Sequence, residues 1–503
     1  MHIILASLGF PLWLRISHYI NLLFIGLLIR SGIQILAAHP RLYWNEASKP
    51  GTEWIKFTRQ KVPKDKLYTS MDDEIPVSPL LALPGEDNLG HGRNWHFFSV
   101  IFWVLNGIVY IVLLFATGEW SRLIPTSWSI FPDAWQTFVT YITFHIPPAS
   151  AFRPYDPLQQ LAYAGVVFIL GPLMILTGAA MSPSIEGRFP WYVNMFGGKQ
   201  AARSIHFIVM LAFTIFVVIH TALVLIVHFS DNIRNIVFDD ANANLGLAIG
   251  IAVVALLLVV AIYIWASWYT LRHRRRMQRV LDSVVAPVRG ALLHREKSKQ
   301  HYKPGDITSY FWVNGRPPES EEYRRLARDD FAEWNLHVFG LVEQPLLLSL
   351  ADLRQLGKQT QITKHNCIQG WSGIAEWGGV ALTDVLKLCR PLPEAKYLVF
   401  TSFQKGKGAV KPEQKEAHQA VFYEVIDMEL ARHPETILAY EMNGETLPIN
   451  HGAPLRLRVE TLLGYKMVKY LRSIELVEDY SKIGLGQGGF REDYQYYGKG
   501  AEI

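Results

Sequence analysis

Hydrophobic residues are unevenly spread along this chain. Before residue 271 they gather in long runs, and after it they fall into short β-branched stretches broken by Gly, Pro and Asn. A helix needs about 20 apolar residues to cross a bilayer. Five segments reach that length: 17–38, 95–117, 159–181, 204–229 and 245–270. The third carries Pro172 after Gly171, which predicts a kink. Segment 128–147, WSIFPDAWQTFVTYITFHIP, is too interrupted to span and reads as an interfacial helix. The basic run LRHRRRMQR follows the fifth span, and a polar linker continues to about 305. From Tyr310 onward, LHVFGLV, AKYLVFTS, APLRLRVE and YLRSIELVE predict strands, while LSLADLRQL and ALTDVLKLC predict helices. The pattern divides the chain into an all-α transmembrane bundle over 1–271, a basic linker over 272–304 and an α+β domain over 305–503.

Composition sharpens this picture. Half of the 503 residues are hydrophobic, and mean hydropathy is +0.13, too apolar for an average soluble enzyme. The net charge of +5 comes from basic residues clustered at span ends, which points to membrane topology and away from nucleic acid. The two cysteines, Cys367 and Cys389, lie in unlike contexts; that excludes a disulfide framework and a cysteine-ligated iron–sulfur cluster. The start, MHIILASLGFPLWLR, has no basic n-region, twin-arginine signal or cleavage site, so the first apolar segment is expected to be a retained span. The expected location is a bacterial inner membrane, crossed several times, with lipid as a partner.

Ionisable side chains inside a span are costly, so each needs a reason. His18 opens the first span, His96 the second, and His206 and His220 both lie in the fourth. His206 and His220 are 14 residues apart, close to four helical turns, and so share a face at two depths roughly 21 Å apart. Successive spans run in opposite directions. His206 therefore meets His96 at one depth, and His220 meets His18 at the other. Two bis-imidazole pairs suit two stacked haems that move electrons and leave no open iron position. The alternative, four polar side chains bridging helices, has to explain why all four pair by depth. Arg30, 12 residues after His18, lies near the depth of the other pair and is expected at a propionate of the His96/His206 haem, or else snorkelling to headgroups. His39, His91 and His145 are read as structural, and His228 as solvated or near a quinone headgroup.

The stretch RISHYINLLFIGLLIRSGIQILAAHPRLYW, the segment YDPLQQLAY and the His206/His220 spacing resemble the di-haem cytochrome b subunits of bacterial nickel–iron hydrogenases and formate dehydrogenases. The resemblance covers about 1–240 and implies two b-type haems and reaction with quinone. The family core has four spans, so the fifth here is an addition leading into the second half.

On local sequence alone Cys367 and Cys389 both read as buried, inert cysteines. The wider pattern changes the reading of Cys367. NCIQGWSGIAEWGGVALTDVL, followed later by LAYEMNGETLPINHGAPLRLRVETLLGYKMVKYLRSIEL, resembles the molybdopterin-binding core of the sulfite oxidase family over about 305–497. The resemblance implies that Cys367 is the catalytic thiolate ligand of molybdenum. It implies that Asn314 in FWVNGRPP contacts the pterin, and that His451, Arg456, Lys466 and Lys469 hold the cofactor. Arg, Lys and His suit its phosphate; without the resemblance, Arg456 and Arg458 would read as the exposed face of a strand. Two features depart from sulfite-oxidising members. Cys367 is followed by Ile368, Gln369, Gly370 and Trp371 rather than an arginine-bearing segment, and only about 27 residues follow Leu476. Both are closer to the bacterial reductase branch that includes the methionine sulfoxide reductase catalytic subunit. The chain is thus expected to be a molybdopterin-dependent oxidoreductase exchanging electrons between quinone and a small substrate, reducing an S- or N-oxide. The alternatives are a sulfite-type dehydrogenase feeding quinone, or an electron-transfer cytochrome with a non-catalytic docking domain.

Sidedness follows from charge. The side bearing the molybdenum domain has eight Lys and Arg in 38–94, three in 182–203 and five in 271–279, against Arg15, Arg122, Arg153 and Arg234 on the other. The positive-inside rule turns the molybdenum domain to the cytoplasm, although the related hydrogenase and formate dehydrogenase cytochromes would turn it outward. A C-terminal alkaline phosphatase fusion is expected to be inactive; an active fusion would show the opposite orientation.

Overall fold

The computed structural model describes residues 9–63, 65–146, 155–292, 301–411 and 414–498. Arg153, the first eight residues and 293–300 of the expected linker lie outside the described residues. Among the described residues, five helices are long and apolar enough to cross a membrane: Leu12–Ala38, Leu89–Ala116, Pro157–Ala180, Lys199–Ile226 and Leu245–Arg272. Their 24 to 28 residues give lengths of about 36–42 Å, more than the hydrocarbon core requires, so their ends project into the headgroup region. Apolar side chains such as Val254, Leu257 and Leu258 of the fifth span face outward, as a lipid-facing helix requires.

Pro172 has no N–H and its ring would crowd the carbonyl one turn back. The third span absorbs this as a π-helical turn over Val166–Leu170, in which the Gly171 N–H bonds Val166 O. The interrupted segment forms the short helix Ile130–Ile142, with Trp128 and Trp135 exposed beside and along it. The first and second spans are tied by Asn106, which donates to Ser17 O and Asn21 Oδ1 at 3.3 and 3.1 Å. The fifth span lies close against the first: the Tyr263 hydroxyl donates to Leu22 O at 2.7 Å, in space that any side chain at Gly26 would occupy.

Arg30 belongs to this contact, which corrects its expected role. Its guanidinium donates to Pro79 O (2.6 Å), Ala82 O (3.3 Å), Ser267 Oγ (2.7 Å) and Tyr263 O (3.1 Å). Arg30 binds the first span to the fifth and to the 79–82 turn. Its Nη groups are held by these protein acceptors, while its Nε is buried with no hydrogen-bond partner among the described residues.

The basic run after the fifth span, read from the sequence as the start of a linker, forms the helix Arg274–Leu292. Met277, Leu281 and Val285 are buried at four-residue spacing, and the arginines occupy other faces. Met277 and Leu281 join Leu27, Leu83, Trp95 and Ala266 in one cluster. The charge of the run masked that stripe.

The second half has two sheets around one core. Strands β1 (Arg41–Leu42) and β2 (Ile55–Lys56) form a small hairpin in the loop between the first two spans. In the second half, β3 (Asn335–Gly340), β4 (Leu346–Ser349), β7 (Tyr397–Lys405), β8 (Val421–Asp427) and β12 (Leu471–Val477) form a mixed sheet in the order β4-β3-β12-β7-β8. Only its β12–β3 pair is parallel. The other sheet is antiparallel in the order β10-β9-β6-β5, from β5 (Gln359–Asn366), β6 (Ser372–Ala381), β9 (Ile437–Met442) and β10 (Glu445–Thr446), with β11 (Arg456–Arg458) also paired to β9. Leu336, Phe400 and Leu476 of one sheet and Val380, Leu438 and Leu457 of the other share the core. The β5–β6 hairpin, like β4, β8, β9 and β10, was not named as strand from the sequence, and in its case glycines and tryptophans interrupt the alternation.

The halves are docked by polar contacts. Trp312 Nε1 donates to Ser48 O at 2.9 Å, and Arg275 donates to Glu492 O and Asp493 O at 2.9 and 2.8 Å. Lys364 is buried between Glu186 and Glu46, each at 2.6 Å.

Lys466 does not line the cleft expected to hold the cofactor, a second correction. Its ammonium is buried, and its three donors are taken by Glu424 (2.7 Å), Glu492 (2.8 Å) and Gly488 O (2.9 Å). Burial, and then Glu492, pushes the Glu424 carboxyl well above its ordinary pKa despite Lys466. Lys466 therefore pins the C-terminal segment to β8. Removing one partner of a buried ion network costs about 3–5 kcal/mol. Lys466→Met is expected to lower the stability of the second half by that amount in denaturant unfolding. An unchanged midpoint would show that the network contributes nothing.

Candidate functional sites

Residues 367–371 turn the chain from β5 into β6. Cys367 N donates to Trp371 O at 3.0 Å and Gly370 N to Cys367 O at 3.1 Å, and Gly370 has φ +112°, which favours glycine. The Cys367 thiol is buried among Trp312 and Trp371. Asn314 Nδ2 lies 3.7 Å from Sγ and 3.2 Å from Gln369 Oε1. Burial pushes the thiol up to about 11, against the pull of the Gln369 backbone and Asn314. It keeps its proton at neutral pH until a metal displaces it.

Cys367 opens onto a cleft lined by residues of both halves of the chain, Met71 and Glu74 from the first and Asn314, His451 and Arg456 from the second. One wall is cationic. Arg456, Lys469, His451 and Arg491 all line it. Lys469 Nζ donates to Asn314 O at 2.6 Å and Asn450 O at 3.2 Å, linking that wall to the cysteine side. Burial and then Arg458 lower Arg456 to about 9; burial, Arg456 and Arg491 bring Lys469 well below its ordinary value. Burial and then Lys469 lower His451 to about 3, leaving a neutral imidazole. Arg456 Nε is buried and has no hydrogen-bond partner within the chain. A crowded set of cations with an orphaned donor is what an anionic group such as the phosphate of a pterin cofactor satisfies, so these residues fit that cofactor.

The structure thus brings Cys367, Asn314, His451, Arg456 and Lys469 together and leaves out Lys466. It adds residues the sequence reading missed. His365 stacks on Trp371 at 5.3 Å between ring centroids and lies 2.9 Å from Arg458 Nη1. Its place on β5, two residues before Cys367, was a usable signal. Arg458, like Arg456, is buried and lies over Trp377. Arg491 and Tyr497 come from the chain's last turns, and Glu74 from the loop between the first two spans; none has a local sequence signal.

In the membrane half the four histidines meet in pairs. The ring centroids of His18 and His220 are 6.1 Å apart, and those of His96 and His206 are 6.5 Å apart. Two metal–nitrogen bonds of about 2 Å, plus the two ring radii, span about 6 Å. Both gaps therefore fit one metal atom. Nδ1 of His96 is 3.0 Å from Ser31 Oγ, that of His206 is 3.0 Å from Thr177 Oγ1, and that of His220 is 3.2 Å from Tyr163 OH. Such bonds hold the three rings in place and leave Nε2 free of them.

The fourth span connects the two regions. In its first turn Lys199 Nζ donates to Asn366 Oδ1 at 2.8 Å, and Gln200 Nε2 to Gly370 O at 3.0 Å and Ser372 Oγ at 3.1 Å. Arg203 donates to Arg41 O at 2.8 Å and His39 O at 2.5 Å. His206 follows on the same helix.

Residues 9–239 match the family model of prokaryotic cytochrome b561, and residues 324–483 match that of the oxidoreductase molybdopterin binding domain. A protein of Azospira oryzae named as a candidate protein-methionine-sulfoxide reductase subunit, YedZ1, is 34% identical over 209 residues, covering 42% of this chain and 70% of that one. The protein-methionine-sulfoxide reductase catalytic subunit MsrP of Gluconobacter oxydans is 34% identical over 149 residues, 29% of this chain and 47% of that one. Its counterpart in Xanthomonas campestris pv. campestris is 32% identical over 176 residues, 34% of this chain and 54% of that one. The chain thus spans about half the length of these catalytic-subunit relatives. It belongs to the prokaryotic cytochrome b561 family of b-haem membrane proteins and extends that cytochrome with a molybdopterin-binding oxidoreductase domain.

Proposed function

We propose that the chain is a quinol-fed reductase of a sulfoxide, with both electron carriers and the reducing centre in one polypeptide. The division assigns 1–271 to the cytochrome, 272–304 to the connection and 305–503 to the reductase, with the reductase on the cytoplasmic side. The observation that carries the reading is the fourth span. Its first turn holds the Cys367 loop, and His206 lies six residues beyond Gln200, about 9 Å along the helix. Two b haems, one between His18 and His220 and one between His96 and His206, make a relay that ends at this contact. The relatives are named as methionine sulfoxide reductases, which favours an S-oxide. The neutral Gln369 beside Cys367 argues against a doubly charged oxyanion such as sulfite.

In the reaction a sulfoxide and a quinol give a thioether, water and a quinone. The quinol supplies both the two electrons and the equivalent of the two protons that the water carries away. Molybdenum, when bound, supplies the two-electron oxygen-atom transfer. The chain's own residues do the rest. Cys367 Sγ holds the metal, and the Asn314 amide steadies that sulfur. Arg456, Lys469 and His451 bind the anionic part of the cofactor. Trp312 and Trp371 keep bulk water from the sulfur, and the Nδ1 bonds of His96, His206 and His220 hold the imidazoles that would take the haem irons.

His220→Ala is expected to halve the haem content measured as pyridine haemochrome. The remaining haem should still be reoxidised by sulfoxide after chemical reduction. Cys367→Ser should abolish turnover while both haems still titrate. A wild-type content of one haem per chain, or loss of both haems in His220→Ala, would overturn the pairing.

A further inference from the structure

Sulfoxide reduction needs protons as well as electrons: the S=O bond breaks and the oxygen leaves as water with two protons, while the two electrons come from quinol. The cationic wall of the cleft does not supply them readily. Arg456 and Lys469 are committed to holding an anion, and His451 is neutral with a pKa of about 3. His365 is likewise pushed well below its ordinary value by burial and Arg458. Among the described residues lining the cleft, Glu74 is the one carboxyl, and it belongs to the membrane half.

Its surroundings form a polar file. Glu74 Oε1 accepts from Gln369 Nε2 at 2.5 Å. Gln369 Oε1 in turn accepts from Trp371 Nε1 at 3.1 Å and lies 3.4 Å from Cys367 Sγ. The carboxyl is therefore one side chain from the sulfur and faces the same cavity. On its other side Glu74 Oε2 is 3.2 Å from Lys411 Nζ, which is also 3.2 Å from Asp87 Oδ2. Glu74 and Asp87 share a second small cavity with Gln34, Gln495 and Tyr497. Asp87 is the more exposed, at 24% against 16% for Glu74 and Lys411.

We propose that Glu74 is the acid that delivers protons into the molybdenum cleft and is refilled from solvent by way of Asp87. The inference rests on the reductive reading above. In each turnover the acid gives a proton toward the departing oxygen, takes another through Asp87 and gives again, which accounts for the two protons in the water formed. The charged and titratable groups facing Glu74 are Asp87, Lys411 and the Tyr497 phenol, with Arg491 and Cys367 across the cleft. Burial and then Asp87 push Glu74 up to about 7, while Lys411 and Gln369 pull the other way. An acid with that value is loaded below pH 7 and empties above it, so proton-limited turnover falls as pH rises through about 7.

The competing account is mechanical: Glu74 merely latches its loop to Lys411. The holoenzyme, fed by reduced viologen, separates the two. Glu74→Gln preserves the size and hydrogen bonding but holds no transferable proton. It is expected to lower turnover roughly 100-fold, to remove the fall near neutral pH, and to leave molybdenum content and haem reduction by quinol unchanged. Glu74→Asp, which keeps a carboxyl, should recover part of the rate and the pH step. An infrared pH titration of the resting enzyme should show a protonated carboxyl band that disappears near pH 7 and is absent in Glu74→Gln. Unchanged turnover and pH profile in Glu74→Gln, or a fall explained by lost molybdenum, would overturn the proposal. Failure of the wild type to turn over any sulfoxide would instead defeat the reductase reading, and the infrared band would still report whether Glu74 titrates there.

Discussion

The arrangement depends on one contact: the first turn of the fourth span seated against the Cys367 loop. A helix is a rigid ruler, rising about 1.5 Å per residue. Once Lys199 and Gln200 are hydrogen-bonded to Asn366, Gly370 and Ser372, the depths of His206 and His220 relative to the cleft are set. Arg203 locks the seat from the other side through the carbonyls of His39 and Arg41. Each of these donors is buried, and a buried donor left unmade costs more than its bond contributes when formed. The contact is therefore strict in geometry, which an electron relay requires.

The membrane half also completes the cleft. Met71 and Glu74, from the loop between the first two spans, line it together with Cys367. That loop is held by the buried Arg41, which pairs with Asp73 at 2.9 Å and Glu53 at 2.6 Å. The molybdopterin-binding domain on its own would lack this wall. Fusion in one chain keeps the wall, the paired histidines and the Cys367 sulfur at a fixed mutual distance with no association step.

The sequence was most legible where a single physical demand acts alone. Lipid requires long apolar helices, so all five spans could be read, although each helix runs past its apolar core. Helical periodicity put His206 and His220 on one face, and alternating span direction paired them with His96 and His18. Cys367, Asn314, Arg456 and Lys469 were legible only through resemblance, because a lone thiol and a strand arginine carry no local sign of a cofactor. Reading failed where charge stood in for position. Lys466 and Arg30 were taken as ligands for anions, yet one meets two buried carboxylates and the other meets backbone carbonyls. The helix after the fifth span was hidden by its arginines. Glu74 lies nearly three hundred residues from Cys367, and only the docked halves bring the two together.

Haems and a molybdenum cleft in one polypeptide should exchange electrons without a second molecule. Stopped-flow mixing of the quinol-reduced holoenzyme with excess methyl sulfoxide, followed at the haem absorption band, tests this exchange most directly. First-order haem reoxidation is expected, with a rate constant that does not change when the protein is diluted. A rate proportional to protein concentration, or haems that stay reduced while viologen-driven sulfoxide turnover proceeds, would contradict it.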